Sequence, residues 1–281
     1  MRFSRYHALG NDYLVMEGSD CSELLTPPVI QRICHRNFGI GSDGILVHLA
    51  SSRAGVFKLK ILNPDGSEAE KSGNGLRIFA RYLFDAKLVS NQPFTVETAG
   101  GDVSCLVKDS GRVVTVDMGR VSFLSGQIPV TGEAREVLNE ELALGDRTLQ
   151  FCAATVGNPH CVILNCVVSE KMARQIGPAI EIHPLFPNRT NVQLLRVLDR
   201  KNIAIEIWER GAGYTLASGS SSSASAAVAH RLGLVDPNVT VHMPGGQLSI
   251  EISKDFGIRM TGPVTKVSQG TLDREALADI M

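Results

Sequence analysis

The sequence predicts an α/β fold built in two similar halves, each a curved sheet wrapped around one central helix. Three observations predict it. The chain repeats itself once, at an offset of about 146 residues. Strand-like runs with two-residue alternation stand at matching places in both halves. Each half also carries a segment that is apolar on most faces, the mark of a buried helix.

The repeat rests on collinear pairs. Leu9-Gly10-Asn11-Asp12-Tyr13 is echoed by Val156-Gly157-Asn158-Pro159-His160, and Ser72-Gly73-Asn74-Gly75 by Ser218-Gly219-Ser220-Ser221. Thr95-Val96 through Gly100-Gly101 returns as Thr240-Val241 through Gly245-Gly246. Order and spacing are kept throughout, which argues for duplication rather than chance.

Each half then reads in the same order. Phe57–Leu62 and Ile203–Trp208 alternate, at least in part, as strands. Asn63-Pro64-Asp65-Gly66 and Glu209-Arg210-Gly211-Ala212-Gly213 follow as turns, because Gly, Pro, Asn and Asp favour turn backbone. Leu76–Phe84 and Ala224–Leu232 are the helices, and Val113–Asp117 and Leu248–Ile252 are later strands. The expected division is 1–120 for the first half and 150–281 for the second. Residues 121–149 then form a linker with connecting strands, polar around Glu133 to Glu141.

Composition agrees with this plan and excludes other classes. At about 150 residues per domain, 281 residues suggest two domains. Hydrophobic residues are 43% and charged residues 20%, ordinary for a globular protein. Basic and acidic residues number 28 and 29, so a broad nucleic-acid footprint is not expected. No apolar run reaches the roughly 18 residues of a membrane span. Met1–His7 lead into no apolar stretch of the secretory kind, so a cytoplasmic protein is expected. The 6 cysteines form no C-x-x-C pair and read as reduced, buried thiols. The 7 histidines fit no metal-ligand spacing, so no metal is expected.

The helix starts carry the chemistry. A helix N-terminus has N–H groups without intrahelical partners and the positive end of the dipole. Glycines there let a carboxylate approach the backbone. Ser72 and Ser218 stand at these starts. Both also fit as plain N-caps, a favoured place for serine.

Gly10-Asn11-Asp12, Gly39-Ile40-Gly41-Ser42-Asp43-Gly44, Asn63-Pro64-Asp65-Gly66-Ser67 and Gly73-Asn74-Gly75-Leu76-Arg77 resemble motifs of the diaminopimelate epimerase family. So do Gly157-Asn158-Pro159-His160, Thr190-Asn191-Val192 and Glu209-Arg210-Gly211-Ala212-Gly213. The resemblance runs from residue 3 to about 263 and implies two pseudo-symmetric α/β domains. Each would be a barrel-like, mostly antiparallel sheet around a central helix, with one active site in the cleft between the domains. It implies an isomerase of the lysine and peptidoglycan precursor pathway that needs no cofactor, neither PLP nor metal. It further implies a small-molecule amino-acid substrate, a homodimer, and no nucleic-acid or membrane partner.

Members of this family invert one stereocentre of a diamino dicarboxylic acid with two opposed cysteines. One thiolate removes the α-proton, and the opposite thiol delivers a proton to the other face. Carried over residue by residue, the catalytic positions are Ser72 and Ser218. Asn11, Asn63, Asn158 and Asn191 match the amide contacts, though Asn is also a common turn residue. Glu209 and Arg210 match the pair that recognises the substrate's amino and carboxylate groups. Backbone N–H groups around Gly73, Asn74, Gly219 and Ser220 would receive the α-carboxylate.

The chain departs from the family at both thiols, since Ser72 and Ser218 stand where the family has cysteine. A hydroxyl is less acidic than a thiol by about 5 pKa units, which raises the barrier by ~7 kcal/mol, or roughly 10⁵-fold in rate, if nothing compensates. Lys71 and His160 are the candidate helpers, although His160 reads first as a packing or substrate-stacking residue. Three functions stay open on the sequence. They are a serine-based epimerase, a ligand-binding variant without turnover, and a different isomerase or dehydratase on the same scaffold.

Overall fold

The computed structural model describes residues 1–21, 23–278 and 280. They divide into two units, 1–116 with 262–281 and 117–261.

In the first unit the apolar runs become β1 (Arg2–Ala8), β2 (Asn11–Glu17), β3 (Ile45–Leu49) and β4 (Val56–Leu62), with two helices, α1 (Gly18–Cys21) and α2 (Pro27–Cys34), before β3. A short β5 (Glu68–Ala69) leads into α3 (Gly73–Asp85), and β6 (Phe94–Thr98), β7 (Gly101–Lys108) and β8 (Val113–Arg120) complete the series. Pairing is antiparallel except for β2 with β3 and β4 with β6. Helix α3 packs as a buried element of this unit. Leu76, Ile78, Phe79, Ala80 and Leu83 are all fully buried, as its all-round apolar pattern requires.

The second unit repeats this order. It contains β9 (Glu140–Leu144), β10 (Arg147–Thr155), β11 (Pro159–Leu164), α4 (Glu170–Glu181), β12 (Asn191–Asp199), β13 (Asn202–Glu209) and β14 (Gly213–Thr215). Then come α5 (Gly219–Arg231), β15 (Asn238–Met243), β16 (Gly246–Ile252) and β17 (Gly257–Pro263). Pairing is again antiparallel except at two places, β11 with β12 and β13 with β15, which correspond to the parallel pairs of the first unit. Helices α3 and α5 are each 13 residues long and begin one residue after a serine cap. The fold is therefore the duplicated α/β architecture expected, two pseudo-symmetric, mostly antiparallel sheets each built around a helix.

Helix α5 solves its burial differently from α3. Its interior is Ala and Ser, and two of its buried serines turn their hydroxyls inward. Ser222 Oγ donates to Ser218 O and Ser223 Oγ to Gly219 O, both at 2.8 Å. A hydroxyl that bonds the carbonyl four residues back can be buried without losing a partner.

Long-range pairing shapes the two ends of these units. The last strand, β18 (Thr265–Thr271), pairs antiparallel with β1, so 262–281 join the first unit instead of the second. Residues 121–149 do more than connect. Ile128, Val130, Val137 and Leu142 lie in one core cluster with Phe151, Phe186 and Leu194. Among the described residues, no helix is long and apolar enough to cross a membrane. All six cysteines are free, five buried and Cys166 half-buried.

Candidate active site

In the first unit, Ser72 has the extended backbone of an N-cap, and its Oγ accepts the Gly75 N–H at 3.0 Å. A Cβ on Gly75 would lie 3.1 Å from Leu46 Cδ2 and 3.2 Å from Ser72 Cβ, so glycine lets the helix start tight against β3. The N–H groups of Gly73 and Asn74 lie at the positive end of the helix, and both residues are buried.

Asn74 is tied to Asn11. Asn74 Nδ2 donates to Asn11 Oδ1 at 3.0 Å, and Asn11 Nδ2 donates to Asp43 Oδ2 at 2.9 Å. At the other end Arg77 Nη2 donates to Asn74 Oδ1 at 2.8 Å. A carboxylate only accepts and a guanidinium only donates, so the charged ends dictate how both amides point. Arg77 is fully buried, and burial draws its pKa down to about 9, which leaves it a cation at neutral pH. Arg36 joins Asp43 to Asp12, at 2.6 and 2.9 Å. Asn63 occupies a separate turn, where its Nδ2 donates to Ser67 Oγ at 2.9 Å. Lys71 is half-buried beside Ser72 in sequence.

In the second unit, Ser218 is buried and caps α5, accepting the Ser221 N–H at 3.4 Å. Its Oγ lies 3.4 Å from Ser220 Oγ, and Asn158 Nδ2 reaches Ser220 Oγ at 3.5 Å. Gly219 is buried in the first turn of the helix. His160 Nε2 meets Asn158 Oδ1 at 2.9 Å. The amide oxygen only accepts, so the ring carries its proton on Nε2. His160 is fully buried, and that burial pushes its pKa down to about 3, keeping the imidazole neutral. A side-chain hydrogen bond with Gln193 opposes the shift, and the Arg210 charge adds to it.

Asn191 links the start of β11, next to Asn158, to the recognition turn. Its Nδ2 donates to Pro159 O at 2.8 Å, and its Oδ1 accepts the Arg210 N–H at 3.0 Å. Glu209 and Gly213 pair across the turn between β13 and β14. Arg210 is exposed, with Nη1 on Asn188 O at 3.1 Å.

The structure thus assembles Ser72, Gly73, Asn74 and Asn11 in one group, with Asn63 on its own turn. In the other unit it assembles Ser218, Gly219, Ser220, Asn158 and His160, with Asn191 leading to Glu209 and Arg210. Sequence reading missed the roles of Asp43 and Arg77, although both stand inside quoted motifs, because which atom an amide faces is not a local property. It missed Glu181 altogether, whose partners Trp208 and Gly211 lie 27 and 30 residues further along the chain.

The fold is shared with solved structures of other proteins. One is a hydroxyproline epimerase from Agrobacterium vitis, with trans-4-hydroxy-L-proline bound. It matches with a TM-score of 0.69 at 16% identity, over 96% of this chain and 90% of that one. The sequence model of the diaminopimelate epimerase family matches residues 3–124 and 152–267. Diaminopimelate epimerase 2 of Nostoc sp. (strain PCC 7120) is 60% identical over 99% of this chain and 98% of its own length. Diaminopimelate epimerase of Desulfitobacterium hafniense is 40% identical over 99% of this chain and its full length. The chain belongs to the diaminopimelate epimerase family.

Proposed function

We propose that this protein is a cofactor-independent isomerase of the diaminopimelate epimerase type, acting in lysine and peptidoglycan precursor synthesis. It inverts an amino-acid α-carbon by two-base proton transfer, with Ser72 and Ser218 as the pair that handles the α-proton. The observation that carries the reading is the repeated helix start. Each unit presents a serine at the N-cap and an asparagine from earlier in the chain beside the first turn, Asn11 on Asn74 and Asn158 on Ser220. A carboxylate bound at such N–H groups withdraws charge from the α-carbon as the proton leaves. Asn63, Asn191, Glu209 and Arg210 complete the recognition of the substrate. His160 acts through Asn158, since its Nε2 bonds that side chain and its ring stays neutral. The protein is a cytoplasmic homodimer in this reading, which light scattering on the purified protein tests.

A second reading has one observation behind it. Neither helix start carries a thiol, and an alkoxide in place of a thiolate costs ~7 kcal/mol more. The protein then binds diaminopimelate and turns it over slowly or not at all. Incubation with L,L-diaminopimelate in D₂O, with the α-proton followed by NMR, separates the two. Steady loss of the signal supports epimerisation. Saturable binding without loss supports the second reading, and absence of binding overturns both.

A further inference from the structure

Taking Glu209 and Arg210 as substrate contacts, we infer that helix α4 positions them, through the Glu181 carboxylate and the bare backbone at Gly177. The turn that carries these contacts is loose by composition. Gly211 and Gly213 both have positive φ, +78° and +81°, and Arg210 is exposed. Such a turn holds one conformation only if its surroundings impose it.

Glu181 imposes it. This last residue of α4 is 5% exposed. Its Oε2 accepts the indole N–H of Trp208 at 2.6 Å, and its Oε1 accepts the backbone N–H of Gly211 at 2.9 Å. Trp208 precedes Glu209 and Gly211 follows Arg210, so one carboxylate grips the dipeptide on both sides. Arg189 donates to Oε1 as well, and supplies the compensating charge. Only a carboxylate can serve these donors together, because an amide would turn its own N–H toward one of them. From the opposite side Asn191 Oδ1 holds the Arg210 N–H.

Gly177 makes the grip possible. A Cβ there would stand 2.6 Å from Trp208 Cγ and 2.7 Å from its Cβ, so any larger residue drives the indole off α4 and away from Glu181. Glu181, Gly177 and Trp208 are positioning residues, and none lies in the motifs that match the family's substrate contacts.

Trp208 is the only tryptophan of the sequence, so its fluorescence reports the contact directly. The test compares the parent with Glu181→Gln and, separately, Gly177→Ala. It measures affinity for L,L-diaminopimelate by calorimetry, hydrogen exchange over 209–213, and Trp208 emission. In both variants affinity is expected to fall tenfold or more, exchange in the turn to rise, and the emission to shift. Exchange over α5 should stay at the parent level, which shows the unit is folded. Where turnover is measurable, the change should lie in KM and leave kcat nearly unaltered. A folded Glu181→Gln protein with parent affinity and parent exchange in the turn overturns the inference. If that variant does not fold, the same parental result in Gly177→Ala overturns it. If the parent itself binds no diaminopimelate, the substrate reading fails, while exchange and emission in the variants still decide whether α4 holds the turn.

Discussion

His160 Nε2 lies 2.9 Å from the side-chain oxygen of Asn158, and the ring that makes this bond is fully buried and neutral. The bond fixes which way Asn158 presents its amide, with Nδ2 toward Ser220. Protonation of the ring is opposed by its burial, and this gives a pH signature.

The folded-state pKa of His160 is about 3, below the ordinary value of 6.5. The unfolded chain therefore binds a proton first as pH falls. The stabilising effect of a neutral His160 is fully present above about pH 6.5 and is lost progressively as pH drops toward 3. Between pH 6.5 and 5 the loss is ~2 kcal/mol from this residue. Urea unfolding of the parent and of His160→Gln at several pH values measures it. The parent should lose that much more than the variant over the interval, and parallel curves would contradict the assignment.

Asp43 is expected to matter for Asn11 in the same way. Asp43→Asn places an amide where a carboxylate accepts from Asn11 and from the Asp12 N–H. Stability should fall by ~1 kcal/mol, since a part-buried hydrogen bond to a charged group is weakened and the ion pair with Arg36 is lost. Affinity for diaminopimelate should fall with it. Chemical denaturation and calorimetry on the variant check both, and an unchanged affinity would remove Asn11 from the binding set.

Thiol reagents should leave ligand binding intact. Burial raises Cys166, the half-buried thiol, to about 11, and pushes the buried Cys161 up as well. The thiolate is the reactive form, so Cys166 reacts on the order of 10⁴-fold below full ionisation at pH 7. Iodoacetamide followed by mass spectrometry and calorimetry gives the test. Binding lost in step with labelling of Cys161 would place that residue at the ligand.

Restoring both thiols is the decisive change. Ser72→Cys with Ser218→Cys is nearly isosteric and keeps each helix start. The double variant should exchange and invert the α-proton faster by orders of magnitude, up to roughly 10⁵-fold. Either single change should do much less, because inversion needs an acid and a base on opposite faces. A parent rate already equal to that of the double variant would show that the hydroxyls are activated by a neighbour.

What the sequence by itself determined is local. The apolar pattern of Leu76–Phe84, the alternation of Ile203–Trp208 and the Gly-rich turns are each written within ten residues or so, where periodicity and backbone preference act, and the repeat is the recurrence of such local patterns in the second half. The same holds for the family motifs, so the architecture and the positions of Ser72 and Ser218 at helix starts could be read directly. What only the tertiary structure decided is which distant groups meet. β18 adds to β1 across nearly the whole chain, because an edge strand pairs with whatever edge lies beside it in space. Val137 is a core residue inside a stretch that reads as polar. Asp43 orients Asn11 and Glu181 orients the Arg210 turn from about 30 residues away, and hydrogen-bond partners at that distance leave no periodic trace in the chain.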